Sequence, residues 1–201
     1  DRLAISRTYQ ASGWTRGRAK LSGTQLHLKG FCMDSIRVIG PSVMKIRDTA
    51  SLKQTFSQWK CMIQTFKATH QPNDDTFRKQ LAKTLCGEVC RDPVPFDEEL
   101  ERLFDTGDLN RLLGVPYSDA VTSSLSYRSL FITENGRLGI GVGHARAGDQ
   151  VWGVYGSRVP FILRQLNSEA DPVQHSMIGD CYLNDAMKGE LVRKSVKIRL
   201  I

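Results

Sequence analysis

Between residues 129 and 190 short apolar runs alternate with strong turn signals, enough for at least five strands. Leu130 and Ile132 lead into Glu134-Asn135-Gly136, and Leu138 and Ile140 return. Asn-Gly accepts the positive φ angles that a tight hairpin turn requires. Gly139, Gly141 and Gly143 leave the returning arm thin, which predicts another backbone passing close by. Ala147-Gly148-Asp149 is a second turn, followed by Val151, Val154 and Tyr155. Gly156-Ser157 turns again into Val159-Pro160-Phe161-Ile162-Leu163. Asn167 to Pro172 is polar and reads as a loop, and Met177 to Leu183 as the next strand. Strands at this spacing predict a small closed barrel or sandwich. No catalytic group assembles within the stretch. It therefore points to a module that supports or recognises something, not to a self-contained enzyme.

Upstream the period changes. Residues 19–39 read as two strands: Leu21, Leu26 and Leu28 alternate around Ser22-Gly23, and Met33, Ile36, Val38 and Ile39 continue after Gly30 until Gly40-Pro41 ends the unit. Leu52, Phe56, Trp59, Ile63 and Phe66 then fall on one face of a helix that starts near Thr49 or Ser51 and stops before Pro72. A second helix begins at Asp74-Asp75-Thr76, carries Phe77, Leu81, Leu85 and Val89, and is broken by Asp92-Pro93 and Pro95. A third spans Asp97 to Asp105 and ends near Gly107; a fourth runs from a Ser118 cap to about Tyr127. Val196, Ile198 and Leu200, alternating with Lys197 and Arg199, fit an edge strand. The predicted class is α+β: one small antiparallel β-barrel-like module, with strands near 19–39, 129–183 and 195–201 and a helical insertion over about 49–127. Residues 1–18 read as an exposed lead-in from a missing N-terminal domain, and 19–201 as a single unit of ordinary domain size.

Charge and cysteines narrow the setting. Lys and Arg number 28 against 21 Asp and Glu, a net charge of +7. The basic residues are scattered; the densest groups are Arg16, Arg18 and Lys20, and Arg193, Lys194, Lys197 and Arg199. That reads as a solvated basic surface, with nucleic acid as a disfavoured partner. No apolar run approaches the length of a spanning helix, and residues 1–10 carry no signal-peptide core, so neither a membrane nor secretion is expected. An odd number of cysteines, five, without such a signal fits a reducing compartment, the cytoplasm. Cys86 and Cys90 share a helical face but have no neighbouring ligand pair, so buried free thiols are expected, with no metal and no cofactor.

Catalytic groups are sparse. His27, His70, His144 and His175 lie in different elements, and His27 alternates with leucines toward solvent. A Cys181–His144 or Cys181–His175 pair is the one dyad the sequence leaves open. Gly136, Gly139, Gly141 and Gly143 lack phosphate-loop spacing and read as turn glycines. Glu98, Glu99 and Glu101 read as a solvated helix face. Trp14, Trp59 and Trp152 read as packing residues, with Trp14 in its basic lead-in the exception worth testing.

An ordered series of short motifs carries a resemblance. Arg128 to Gly136 follows R-x-F-F-x-T-x-x-G, and Leu138-Gly139-Ile140-Gly141 follows G-L-G. Ala145 to Val151 follows A-x-x-G-D-x-V, and Gly156 to Arg164 follows G-x-x-V-P-F-V-L-R. Gly179 to Glu190 follows G-E-C-Y-V-H-G-x-M-x-G-E, with Asp180 for the Glu and Asn184-Asp185 for the His-Gly. Tyr9 to Gly13, Leu26 to Ile36 and Phe77 to Leu81 add weaker matches upstream. In this series the chain resembles the region that follows the HET domain in fungal heterokaryon-incompatibility proteins.

The resemblance implies a non-catalytic accessory or regulatory C-terminal module in non-self recognition and cell-death signalling. Its implied partner is an upstream HET domain of the same polypeptide, with self-association or another protein as further partners. The motif residues Gly136, Gly139, Gly148, Asp149, Val159, Pro160, Phe161, Gly179, Cys181, Tyr182, Gly189 and Glu190 are read as structural. A basic β-barrel that binds nucleic acid is the alternative, and a Cys181-dependent enzyme a third reading.

Overall fold

The computed structural model describes residues 9–46, 48–87, 96–109, 116–167 and 172–201. Among these residues eight strands run in the order β1 (Lys20–Ser22), β2 (Gln25–Ser42), β3 (Arg128–Thr133), β4 (Leu138–Val142), β5 (Gln150–Val154), β6 (Phe161–Asn167), β7 (Gln174–Leu183) and β8 (Val196–Leu200). Between β2 and β3 lie helices α1 (Thr49–His70), α2 (Asp74–Leu85), α3 (Phe96–Thr106) and α4 (Pro116–Leu125). The architecture is the expected one: a mostly antiparallel, barrel-like ring with four helices between its strands.

Closure comes from the long strands. Gly30 to Ser35 of β2 pair with β5, while Ile36 to Ser42 pair with β3. β7 likewise pairs with β6 over most of its length and with β4 at Cys181 to Leu183. The circuit β2-β3-β4-β7-β6-β5 thus returns to β2. β8 lies antiparallel to the start of β2 and parallel to the start of β7, filling the opening between them. It bridges two strands and is not the edge that its alternation predicts.

The two strands expected around Ser22-Gly23 are β1 and β2, but β2 does not end at Gly40-Pro41 and runs on to Ser42. Gly30 and Gly40 are close-approach points within it. A β-carbon at Gly30 would stand 2.8 Å from the Gly153 carbonyl oxygen, and one at Gly40 2.3 Å from the Trp59 ring. The register shift between Ile39 and Ser42 accommodates Pro41, which cannot donate to a ladder. Its carbonyl instead accepts from Trp59 Nε1 at 2.9 Å. Glycines 139 and 141 are likewise thin for a different reason than predicted: the Phe131 side chain lies across both, although the Tyr182 carbonyl also approaches Gly139.

The helices bury their predicted stripes. Leu52, Phe56, Trp59, Ile63 and Phe66 of α1 pack with Phe77, Leu81 and Leu85 of α2 on the outer faces of β3 and β4. Each such side chain contributes about 1.5–3 kcal/mol when buried fully. Asp48 caps α1 by accepting from Ala50 and Ser51 amides, and Asn73 caps α2 through Thr76. α4 starts at Pro116, whose fixed φ suits a first turn, so Ser118 lies inside the helix and does not cap it. Its end comes at Leu125, because Tyr127 takes a φ of 59°. Val89, Cys90, Asp92, Pro93 and Pro95, and the loop residues 168–171, lie outside the described residues.

The opposite faces of the strands hold a second core of Phe31, Met33, Ile36, Phe131, Val151, Ile162, Cys181 and Leu183. The lead-in is not exposed throughout. Tyr9, Ala11 and Ser12 are buried, and the Gln10 amide donates to Met187 O and the Ala11 amide to Arg158 O. Cys86 is buried as expected, whereas Cys61 is exposed on α1. Among the described residues, no helix is long and apolar enough to cross a membrane.

Candidate functional site

The motif residues fall into two groups in space. The first holds turns and strand crossings. Gly136, at φ 77°, closes the β3–β4 hairpin by donating to Thr133 O. Gly148, at φ 88°, donates to Ile36 O, and Asp149 O accepts from the Ile36 amide. The Asp149 carboxylate is 2% exposed and fully engaged. It accepts from the Arg146 amide at 2.9 Å and from Arg164 Nε and Nη2, each at 2.8 Å. One carboxylate thereby ties the turn before β5 to β6, with β2 held alongside. Gly179 sits under Val142, and Gly189, at φ 87°, packs on Gly13. Glu190 accepts from the Lys188 amide, and Gly139 lies under Phe131. Pro160 O accepts from the Cys181 amide, holding the start of β6 to β7, and Phe161 packs with Trp152 and Leu163.

The second group lines a cleft of about 510 Å³ between the ring and the helices. Val159, Cys181 and Tyr182 contribute from the motif set. On the ring side, Ile140 and Val142 supply an apolar wall and Arg128 and Asp180 an ion pair of 2.7 Å. Arg128 Nη1 also donates to Asp180 O at 3.2 Å. Ser123 and Ser124 from the end of α4 line the same cleft, as does Tyr127. Behind them Tyr9 packs on Tyr182 with ring centroids 6.2 Å apart and donates its hydroxyl to Gly87 O. The cleft is thus amphipathic and close to neutral, which suits a protein segment or small molecule with both apolar and hydroxyl groups.

Tyr127 is the strained member. A bulky side chain at positive φ is rare, and here the backbone imposes it. The Tyr127 amide donates to Val43 O and its carbonyl accepts from Gly143, so both neighbours fix the peptide while the side chain stands 68% exposed. Its ring also borders a second cleft of about 470 Å³ beside Met44 and Ile46.

Neither cysteine dyad assembles as sequence left it. Cys181 and His175 lie six residues apart on the single strand β7, about 20 Å at strand rise. His144 is exposed in the turn after β4, while Cys181 is buried, and burial pushes its thiol well above the ordinary range. His175 is itself buried, edge-on to Trp152 and within 3.3 Å of Gln150 Oε1. Burial pushes its pKa down, opposed by the Val173 backbone.

The departures from the resembled pattern have local consequences. Asp180 keeps the negative charge of the Glu it replaces, and that charge meets Arg128. One anion and one cation in separate motif blocks is the signal through which the cleft could have been found. Ser123, Ser124 and Tyr127 carried no such signal, because only the α4–β3 junction brings them to the ring. Asn184 is buried, accepts from the Tyr182 hydroxyl at 3.3 Å and donates its amide to Leu138 O. Asp185 takes φ 57°, where the pattern has Gly, and accepts from Gln80 of α2 at 3.2 Å.

Comparison with known proteins places the chain. The family described as the Het-6 beta-barrel domain matches residues 44–199. The Neurospora crassa protein "Heterokaryon incompatibility protein 6, OR allele" is 25% identical over 142 residues, which cover 69% of this chain and 19% of that protein. The chain therefore spans about a fifth of that curated relative's length. No solved structure matches.

Proposed function

Because this chain belongs to the Het-6 beta-barrel domain family, we propose that it is a non-catalytic regulatory module of a heterokaryon-incompatibility protein. It acts in non-self recognition and cell-death signalling, downstream of a HET domain in the same polypeptide. The observation that carries this reading is the cleft between ring and helices. It gathers Val159, Cys181 and Tyr182 with the Arg128–Asp180 pair, and its cysteine is buried with a raised pKa and its arginine is already paired. Such a surface favours holding a partner segment over performing chemistry. The HET domain is the partner that cleft receives.

Co-expression of residues 1–201 with a HET domain from a heterokaryon-incompatibility protein tests this, scored by co-purification and by viability of the fungal host. The expected result is a stable complex and an altered death response. Absence of both removes the basis of the reading.

A further inference from the structure

The fold assembles what the sequence scatters. Thr15 Oγ1 accepts from the Gly156 amide, and Gly17 lies so close to Tyr155 that a β-carbon there would stand 1.8 Å from its carbonyl oxygen. This docks the segment with Arg16 and Arg18 beside Tyr155. The Tyr155 hydroxyl donates to Arg193 O, next to Lys194, and the Tyr155 amide donates to Lys29 O. Lys29 stands directly opposite Lys197 across β2 and β8, and Lys20 pairs with His27, which in turn faces Arg199.

Arg16, Arg18, Lys20, Lys29, Arg193, Lys194 and Lys197 are all exposed. Among the described residues none of these seven makes an ion pair. The seven equal in number the chain's excess of basic over acidic residues, 28 against 21. Like charges directly opposite on neighbouring strands destabilise a sheet, so the Lys29–Lys197 pair works against the fold that carries it.

Beside this surface stands Trp14, 93% exposed, and Gly13 next to it touches the partly exposed Val192. Packing explains neither the tryptophan nor the unpaired cations. We propose that this face docks on an anionic lipid surface, with Trp14 seated at the headgroup level and the seven cations over the lipid charge. Clusters of 4–8 Lys and Arg bind anionic leaflets in this way, and tryptophan favours the interface. Single-stranded nucleic acid would call for several aromatic platforms in a basic groove. Here one tryptophan protrudes, Tyr155 has its hydroxyl tied to Arg193 O, and neither of the two clefts takes a residue of this face. The lack of a long apolar run argued against a spanning segment; the assembled basic face argues for a peripheral membrane contact.

The test is co-sedimentation of the chain with phosphatidylcholine vesicles, with and without phosphatidylserine. The expected result is binding only to the anionic vesicles, weakening steeply as added salt shortens the Debye length. Lys29→Glu should lower the partition coefficient roughly tenfold or more, because each charge near such a surface counts. The same substitution should raise the melting temperature, since it places opposite charges across β2 and β8. Trp14→Ala should weaken binding with the charge unchanged. Equal partition onto both vesicle types overturns the proposal, as does Lys29→Glu binding like the wild type. Tighter binding to a DNA oligonucleotide than to the anionic vesicles overturns it too, and reassigns the face to nucleic acid.

Discussion

Arg164 grips Asp149 with two nitrogens, Nε and Nη2, each 2.8 Å from a separate carboxylate oxygen. The carboxylate is almost wholly buried and also holds the Arg146 amide, so it has no water to turn to. Arg164→Ala leaves that charge uncompensated, and removing one partner of a buried pair costs about 3–5 kcal/mol. Arg164→Lys, which cannot make the parallel pair of bonds, should lie between the two. Chemical denaturation of the two variants measures the order; equal stability of all three proteins would show the pair to be dispensable.

Asp185 occupies a left-handed backbone position where the resembled pattern has Gly. Asp185→Gly removes the strain together with the contact to Gln80, and should change stability by less than about 0.5 kcal/mol. Asp185→Val, with a branched side chain at the same φ, should cost about 1–2 kcal/mol. Thermal melts distinguish the pair, and a Val variant as stable as the Gly variant would contradict the assigned backbone.

How legible was this architecture in the sequence? The apolar stripe from Leu52 to Phe66 and the hairpin at Asn135-Gly136 could be read directly, because each is a local signal: a period or a turn residue. Gly40-Pro41 misled for the same reason. Locally it reads as an end, while in the fold Gly40 admits the Trp59 ring and β2 runs on to Ser42. The role of β8 also depends on a distant partner, the start of β7, which no alternation within residues 196–200 reveals. No cleft was read from the sequence. Arg128 and Asp180 stood in the motif series, but the serines and Tyr127 reach them only through tertiary packing.

Burial holds the His175 pKa below its ordinary value, so the unfolded chain takes up this proton first as pH falls. Its contribution to stability is therefore present above about pH 6.5, the unperturbed histidine value, and is lost as pH falls through the lower folded value. Denaturation at a series of pH values should show stability declining on the acid side. His175→Phe should flatten that part of the curve; an unchanged slope would assign it to other groups.

Cys61 is exposed and Cys181 is buried with its thiol pushed up in pKa, so the two should differ sharply toward a thiol reagent. In the native protein Cys61 should be labelled first and Cys181 only after denaturant is added. Peptide mapping of the labelled sites checks this. Native labelling of Cys181 would mean that the second core opens readily and would revive a nucleophilic role for it.

The cleft is proposed as the seat of a HET domain, and equilibrium binding of that domain to the purified chain tests the claim most directly. Wild type should bind saturably. Arg128→Ala and Tyr127→Ala should weaken binding at least about tenfold, the effect of losing roughly 1.4 kcal/mol at a contact, with melting temperatures close to wild type. Saturable binding that both variants leave unchanged would move the contact elsewhere on the module, and no binding by the wild type would contradict the regulatory account itself.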